Sequence, residues 1–304
     1  MNIYVLTESL YAFMIAVLIY AFSLEKKLGL WKWALLVGFI IALSALVRPT
    51  SLYLAAFLCL GLFTALRTEK PLILAGCLLL GFFIAYLPWQ VRNQTADIAP
   101  TRSLAADTVQ KGMYPGLLYK NDPRTFGYPN RYDPDWSTRS QSMKLVLDEI
   151  AHRFENNPTE YTRWYLFGKP MMFLSWGIIV GQGDVFVYPV SSSPMMDNSI
   201  FRFVHTLSKL VHWPLTILAI TCVILLWLPS FARRLPQQNL LFFRLLSLTL
   251  IYFIAVHVIG TPLPRYSIPI RPIVIVLGIV AIQLVYDSMR GPATPLVEDE
   301  HNTQ

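Results

Sequence analysis

Glu8, Arg48 with Pro49, Arg92 with Asn93, and Arg265 with Tyr266 each stand at one end of a long apolar run. Charges at the ends of membrane-length apolar segments are kept where they line a polar cavity or meet a charged ligand. Threaded through a bilayer, these groups fall at one face. Arginine suits a phosphate because its planar fork donates paired hydrogen bonds. Three arginines and a carboxylate at one membrane face therefore point to a phosphorylated, membrane-borne substrate.

Each group has its own setting. Thr7, Glu8 and Ser9 make a polar entrance to an otherwise apolar run, where the carboxylate orients a basic group or contacts a sugar hydroxyl. Arg48 lies in a tight turn on the side that the charge bias leaves unexplained; snorkelling to headgroups is the competing account. Arg92 follows Leu87-Pro88-Trp89, where the proline is expected to kink or end a helix beside an interfacial tryptophan. The prolines around Arg265 and Tyr266 predict irregular backbone at membrane depth, which is tolerated against protein or a water-filled cavity. Arg271 lies close enough in sequence to take the same role. Lys169, inside the apolar stretch 164–180, is expected either to face an anionic headgroup or to snorkel.

Other residues carry less. Cys59, Cys77 and Cys222 lie within apolar runs at no metal or disulfide spacing. His205, His212 and His257 read as core or interface histidines. Asp133 with Asp135, and Asp148 with Glu149, fit a solvated loop better than acid–base pairs. Asn93-Gln-Thr95 is a formal glycosylation sequon, and Gly177 to Gly181 a weak small-residue packing pattern. No phosphate loop, dinucleotide fingerprint, zinc motif or nucleophile elbow is present. No cofactor is implied, and no residue set calls for a metal.

The elements that position these residues follow from composition. Hydrophobic residues make up 55% of the 304, charged residues 14%, and mean hydropathy is +0.48. The apolar residues come in blocks of about 17–25, the length that crosses a bilayer. This predicts an all-α polytopic membrane protein with about seven transmembrane helices, near 3–24, 31–47, 51–66, 72–91, 207–228, 241–259 and 268–286. The net charge of +7 lies largely in short turns such as Glu25-Lys26-Lys27 and Arg233-Arg234. There it sets topology rather than binding nucleic acid. The chain divides accordingly into membrane helices over 1–91, an extracytoplasmic loop subdomain over 92–206, membrane helices over 207–286, and a disordered cytoplasmic tail over 287–304. The expected setting is a cell (inner) membrane, multi-pass. Within the loop, Ser137 is expected to cap an amphipathic helix reaching Glu155, with Met143, Leu147, Ile150 and Phe154 on its apolar face. Pro158 is expected to open the next helix, and 164–180 to form an interfacial or re-entrant helix. A span opening almost at Met1, with nothing basic before it, reads as the later part of a longer protein.

Leu-Thr-Glu8-Ser-Leu opening a span, Arg48-Pro49, Leu-Pro-Trp-Gln-Val-Arg92-Asn93 and Pro-Arg265-Tyr266 together resemble the GT-C superfamily of polytopic glycosyltransferases. These use polyprenyl-phosphate sugars; protein mannosyltransferases and aminoarabinose transferases are examples. The resemblance runs from residue 1 to about 286. It implies sugar transfer from a polyprenyl-phosphate donor to a protein, lipid or glycan acceptor at the extracytoplasmic face. It also implies a catalytic aspartate in a loop upstream of Met1, so that no residue of this chain inherits the catalytic role. A divalent metal would belong to that same loop. Glu8, Arg48, Arg92, Lys169, Arg265 and Tyr266 would hold the donor phosphate and shape its site. A lipid-phosphate transporter and a non-catalytic membrane subunit are the alternatives; a transporter predicts internal repeats, and none is visible.

Overall fold

The computed structural model describes residues 7–64, 70–96, 104–115, 117, 128–176, 197–233, 235 and 237–289. Among them every regular element is helical. The long helices are α1 (Thr7–Phe22), α2 (Leu30–Val47), α3 (Leu54–Thr64), α4 (Pro71–Thr95), α9 (Ser199–Leu225), α10 (Gln237–Ile259) and α11 (Arg271–Met289). A helix thus occupies each of the seven expected apolar segments. Among the described residues, five stretches are long and apolar enough to cross a membrane: Leu30–Val47, Pro71–Thr95, Ser199–Leu225, Asn239–Ile259 and Pro264–Met289. Thr7–Phe22 and Pro49–Phe63 are apolar but shorter.

Two of the boundaries that differ from expectation have a local cause. α4 runs through Pro88 to Thr95 instead of ending near 91. Proline removes one backbone hydrogen bond but leaves the helical φ intact, and apolar surroundings favour closing the remaining bonds. α9 begins well before 207, because the Asn198 carboxamide accepts from the Ile200 and Phe201 amides at 2.9 and 3.4 Å and caps it.

One apolar core joins α1–α4, α10, α11 and part of α9. Trp33 Nε1 donates to the Ala21 carbonyl at 2.9 Å and fastens α2 to α1. α2 and α4 touch backbone to backbone. A Cβ at Gly38 would run into the Leu78 carbonyl, and one at Gly81 into that of Leu35. Small residues that permit such approach are the usual packing device between membrane helices. Outward-facing Leu72, Leu80, Leu210, Ile217 and Ile224 are each more than half exposed, a surface suited to lipid. Cation–aromatic pairs bracket the apolar stretches: Lys32 with Trp31, Arg244 with Trp227, Arg92 with Trp89, and Arg271 with Trp176. This is the pattern of interfacial anchors.

The segment between α4 and α9 carries α5 (Leu104–Gly112), α6 (Met143–Asn156), α7 (Pro158–Arg163) and α8 (Lys169–Leu174). The helix expected from Ser137 to Glu155 is divided. Trp136–Arg139 makes a single turn, and α6 starts at Met143 with Ser142 in the cap position. Its inward stripe is Val146, Ile150, Arg153 and Phe154, and Leu147 is 53% exposed. Beside these apolar residues, Glu149 and Arg153 of α6 also turn inward, to meet Arg139 and Asp133. Pro158 opens α7 as expected, and a π-helical stretch, Trp164–Gly168, joins α7 to α8. The remainder of 164–180 beyond Trp176, Gly177 and Gly181 with it, lies outside the described residues, as does the tail from 290.

Candidate functional site

Glu8 occupies the first turn of α1, Arg48 closes α2, and Arg265 and Tyr266 lie in the 3-10 helix Pro264–Ile270 that leads into α11. These positions are far apart in sequence, yet the fold brings them together. Glu8 Oε1 lies 3.6 Å from Arg48 Nη2 and 3.9 Å from Arg265 Nε. Both separations exceed those of a direct hydrogen-bonded ion pair, 2.7–2.9 Å. The Tyr266 ring takes both guanidiniums, Arg48 at 4.6 Å and Arg265 at 5.3 Å from its centroid. Each contact adds the attraction of a cation for a ring face.

A scaffold that the sequence did not reveal holds Arg48. The turn Pro49–Ser51 follows it directly. Tyr11 shares a hydrogen bond with Ser51 Oγ at 2.6 Å and accepts one from Thr50 Oγ1 at 3.1 Å. Tyr252 donates to the Thr50 carbonyl at 2.7 Å and accepts from the Tyr53 amide at 3.2 Å. Tyr11 sits three positions after Glu8, so helical spacing alone could have flagged it. Tyr252 is hidden in an apolar run and carries no such signal. His257 is buried, bonds the Phe253 carbonyl through Nδ1 at 2.7 Å, and stacks on Phe173 at 4.3 Å. Its ring also lies 5.6 Å from that of Tyr266, so this core histidine forms one wall behind the site.

The other nominated residues lie apart from this cluster. Arg92 is exposed and packs over Trp89 at 4.9 Å, as an interfacial anchor does. Arg271 packs over Trp176 at 4.5 Å and reaches the Ser175 carbonyl at 3.5 Å, so Arg265 is the arginine that meets Glu8. Lys169 neither snorkels nor faces outward. It is fully buried, with Nζ donating to the carbonyls of Val258 at 2.7 Å and Gly260 at 3.1 Å, and lying 3.5 Å from that of Ile259. The Tyr165 ring covers it at 3.9 Å. Burial pulls its ammonium down to about 7, while the carbonyls at the C-terminus of α10 and the ring face favour the charge. The reason is local: in the turn of helix around Lys169, Leu166, Phe167 and Met171 take the outward positions, leaving the lysine on the inner face.

Asp133 and Glu149 form a structural ion network. Asp133 accepts from Tyr114 and Arg139, and Arg153 bridges Glu149 at 2.6 Å to Asp133 at 3.4 Å. Burial alone would raise the Asp133 carboxyl, but bonds from Arg139 and Tyr114 hold it below its ordinary 3.8. For Glu149 burial again acts upward, and Arg153 and Arg139 reverse it to below 4.5. No acid–base pair is presented to the Glu8 cluster by this network.

No family model matches this chain, and no curated protein and no solved structure matches it.

Proposed function

We propose that this chain forms the donor-phosphate site of a membrane glycosyltransferase that moves a sugar from a polyprenyl-phosphate carrier to an acceptor at the extracytoplasmic face. The observation that supports it most is the convergence of Arg48, Arg265 and Tyr266 on Glu8 at the ends of apolar helices. Two cations gathered at helix ends can take a phosphodiester whose lipid tail lies along the outward apolar surface. Glu8 keeps them paired at a separation loose enough for a phosphate oxygen to compete.

In such a transfer an acceptor hydroxyl or amine attacks the anomeric carbon. The bond from that carbon to the phosphate oxygen breaks, and polyprenyl phosphate leaves with the electron pair. The acceptor's proton passes to a base that none of the residues described here is assigned to be. Arg48 and Arg265 would stabilise the charge growing on the leaving phosphate, the role that preorganised donors play most strongly in a site shielded from water.

The test is transfer of label from radiolabelled polyprenyl-phosphate sugar in membranes holding the natural gene product. Label should reach an endogenous acceptor, and Arg48→Ala and Arg265→Ala should each lower the rate by about a hundredfold, the effect of removing one such donor. Label that merely changes leaflet would identify a transporter. Neither movement, with the protein inserted and folded, would identify a non-catalytic subunit.

A further inference from the structure

Lys169 is a fully buried lysine on α8, yet its bonds go to a different element, the C-terminal carbonyls of α10. Those carbonyls have no partner within their own helix, and a lysine is a known way to satisfy them. Among the described residues no carboxylate pairs with Lys169; its partners there are Val258, Ile259, Gly260 and the Tyr165 ring. A buried lysine amine spent on backbone alone calls for an account, since an apolar side chain there would avoid the desolvation.

The position of those carbonyls supplies one. Gly260 begins the segment that carries Arg265 and Tyr266, and two more contacts pin its start. Thr261 Oγ1 donates to the Thr108 carbonyl at 2.7 Å. Gly112 lies so close to Gly260 that a Cβ on it would meet the Gly260 carbonyl. Trp164 Nε1 in turn donates to the Gly112 carbonyl at 3.0 Å, so the helix bearing Lys169 grips both sides of this junction. From there the chain turns through Leu263, whose carbonyl accepts from the Tyr266 amide at 3.0 Å, and delivers Arg265 to Glu8.

We infer that Lys169 is a positioning residue for the anion site, latching the end of α10 so that the Gly260–Tyr266 turn holds Arg265 and Tyr266 against Arg48 and Glu8. This rests on the reading that the cluster binds a lipid phosphodiester. The latch couples the segment between α4 and α9 to the site: moving α8 away releases the turn that presents one of its two cations.

A double-mutant cycle tests it, with binding of undecaprenyl phosphoglucose to the full chain in nanodiscs as the readout and thermal melting followed in parallel. Lys169→Met and Arg265→Ala should each weaken binding about tenfold or more, because misplacing a positioned group costs as much as removing it. The double variant should bind clearly better than the product of the two single losses would give, since Lys169 acts largely through that arginine. Additive losses, or full affinity in Lys169→Met, would overturn the latch and leave Lys169 with a part in stability alone. If Lys169→Met fails to fold, Lys169→Gln, which keeps amide donors, enters the same cycle with the same expectations. Wild-type chain that does not bind the lipid, or that binds it equally after Arg48→Ala and Arg265→Ala, defeats the underlying reading instead.

Discussion

Glu8 is the residue on which the site balances. It lies between two guanidiniums that would otherwise repel each other, and its side chain is 14% exposed against 17% for Arg48 and 34% for Arg265. Partly solvated pairs of this kind contribute on the order of 1 kcal/mol. Glu8→Gln should therefore lower the melting temperature by a few degrees. Undecaprenyl phosphoglucose should then raise it by more than in the wild type, because the anion replaces the lost countercharge; an equal rise would show that the lipid does not meet these arginines. Titration at Asp133 and Glu149 belongs to the same scale. Both carboxyls titrate lower when folded than when unfolded. Their stabilisation is complete above the unfolded values near 4, and it is lost as pH falls through the lower folded values. Limited proteolysis of the segment around α6 should stay constant from neutral pH to about 5 and rise only below about 4. Asp133→Asn should make it rise already at neutral pH.

Among the elements, the contact of α2 with α4 is the least forgiving. Leu35, Gly38, Leu78 and Gly81 bring the two backbones together, and neither glycine has room for a methyl group. Gly38→Ala or Gly81→Ala should destabilise the chain by about 1–3 kcal/mol, the range for overpacking, read from melting of the purified protein. Gly76, on the same helix, has open space where its Cβ would stand, and Gly76→Ala should be neutral or slightly stabilising. A similar collapse of Gly38 and Gly76 variants would mean that the helices do not pack through these glycines. Sequence patterning placed the helices but misplaced two details of the segment between α4 and α9. These are the break at Ser140–Ser142 and the inward turn of Arg153, and the latter depends on partners from other elements, Asp133 and Tyr114, that no local pattern contains.

For the molecule as a whole, the outward surface is what ties the fold to a membrane. Ile217 stands in the middle of α9, 63% exposed, among Leu210, Ile220 and Ile224. If this belt faces lipid, Ile217→Arg should impair insertion or lower stability by roughly 2.5–3.5 kcal/mol, the cost of an arginine at mid-membrane. Leu145→Arg, at a 44% exposed position on α6, should be tolerated. Membrane fractionation and protease protection would separate the two, and equal tolerance would remove the lipid face from α9.

The sequence by itself determined the class of this protein and the location of its apolar helices, because hydrophobic run length and helix signals are local properties. It also nominated Glu8, Arg48, Arg265 and Tyr266, because a charge at the end of an apolar run is conspicuous without knowing its neighbours. Only the tertiary structure decided which nominees meet. Arg265 rather than Arg271 reaches Glu8, Arg92 stays with Trp89, and Lys169 turns inward to the α10 carbonyls. Those outcomes depend on crossing geometry and on which carbonyls a helix end leaves unpaired. Both arise when distant segments pack, and neither is written in the spacing of any one of them.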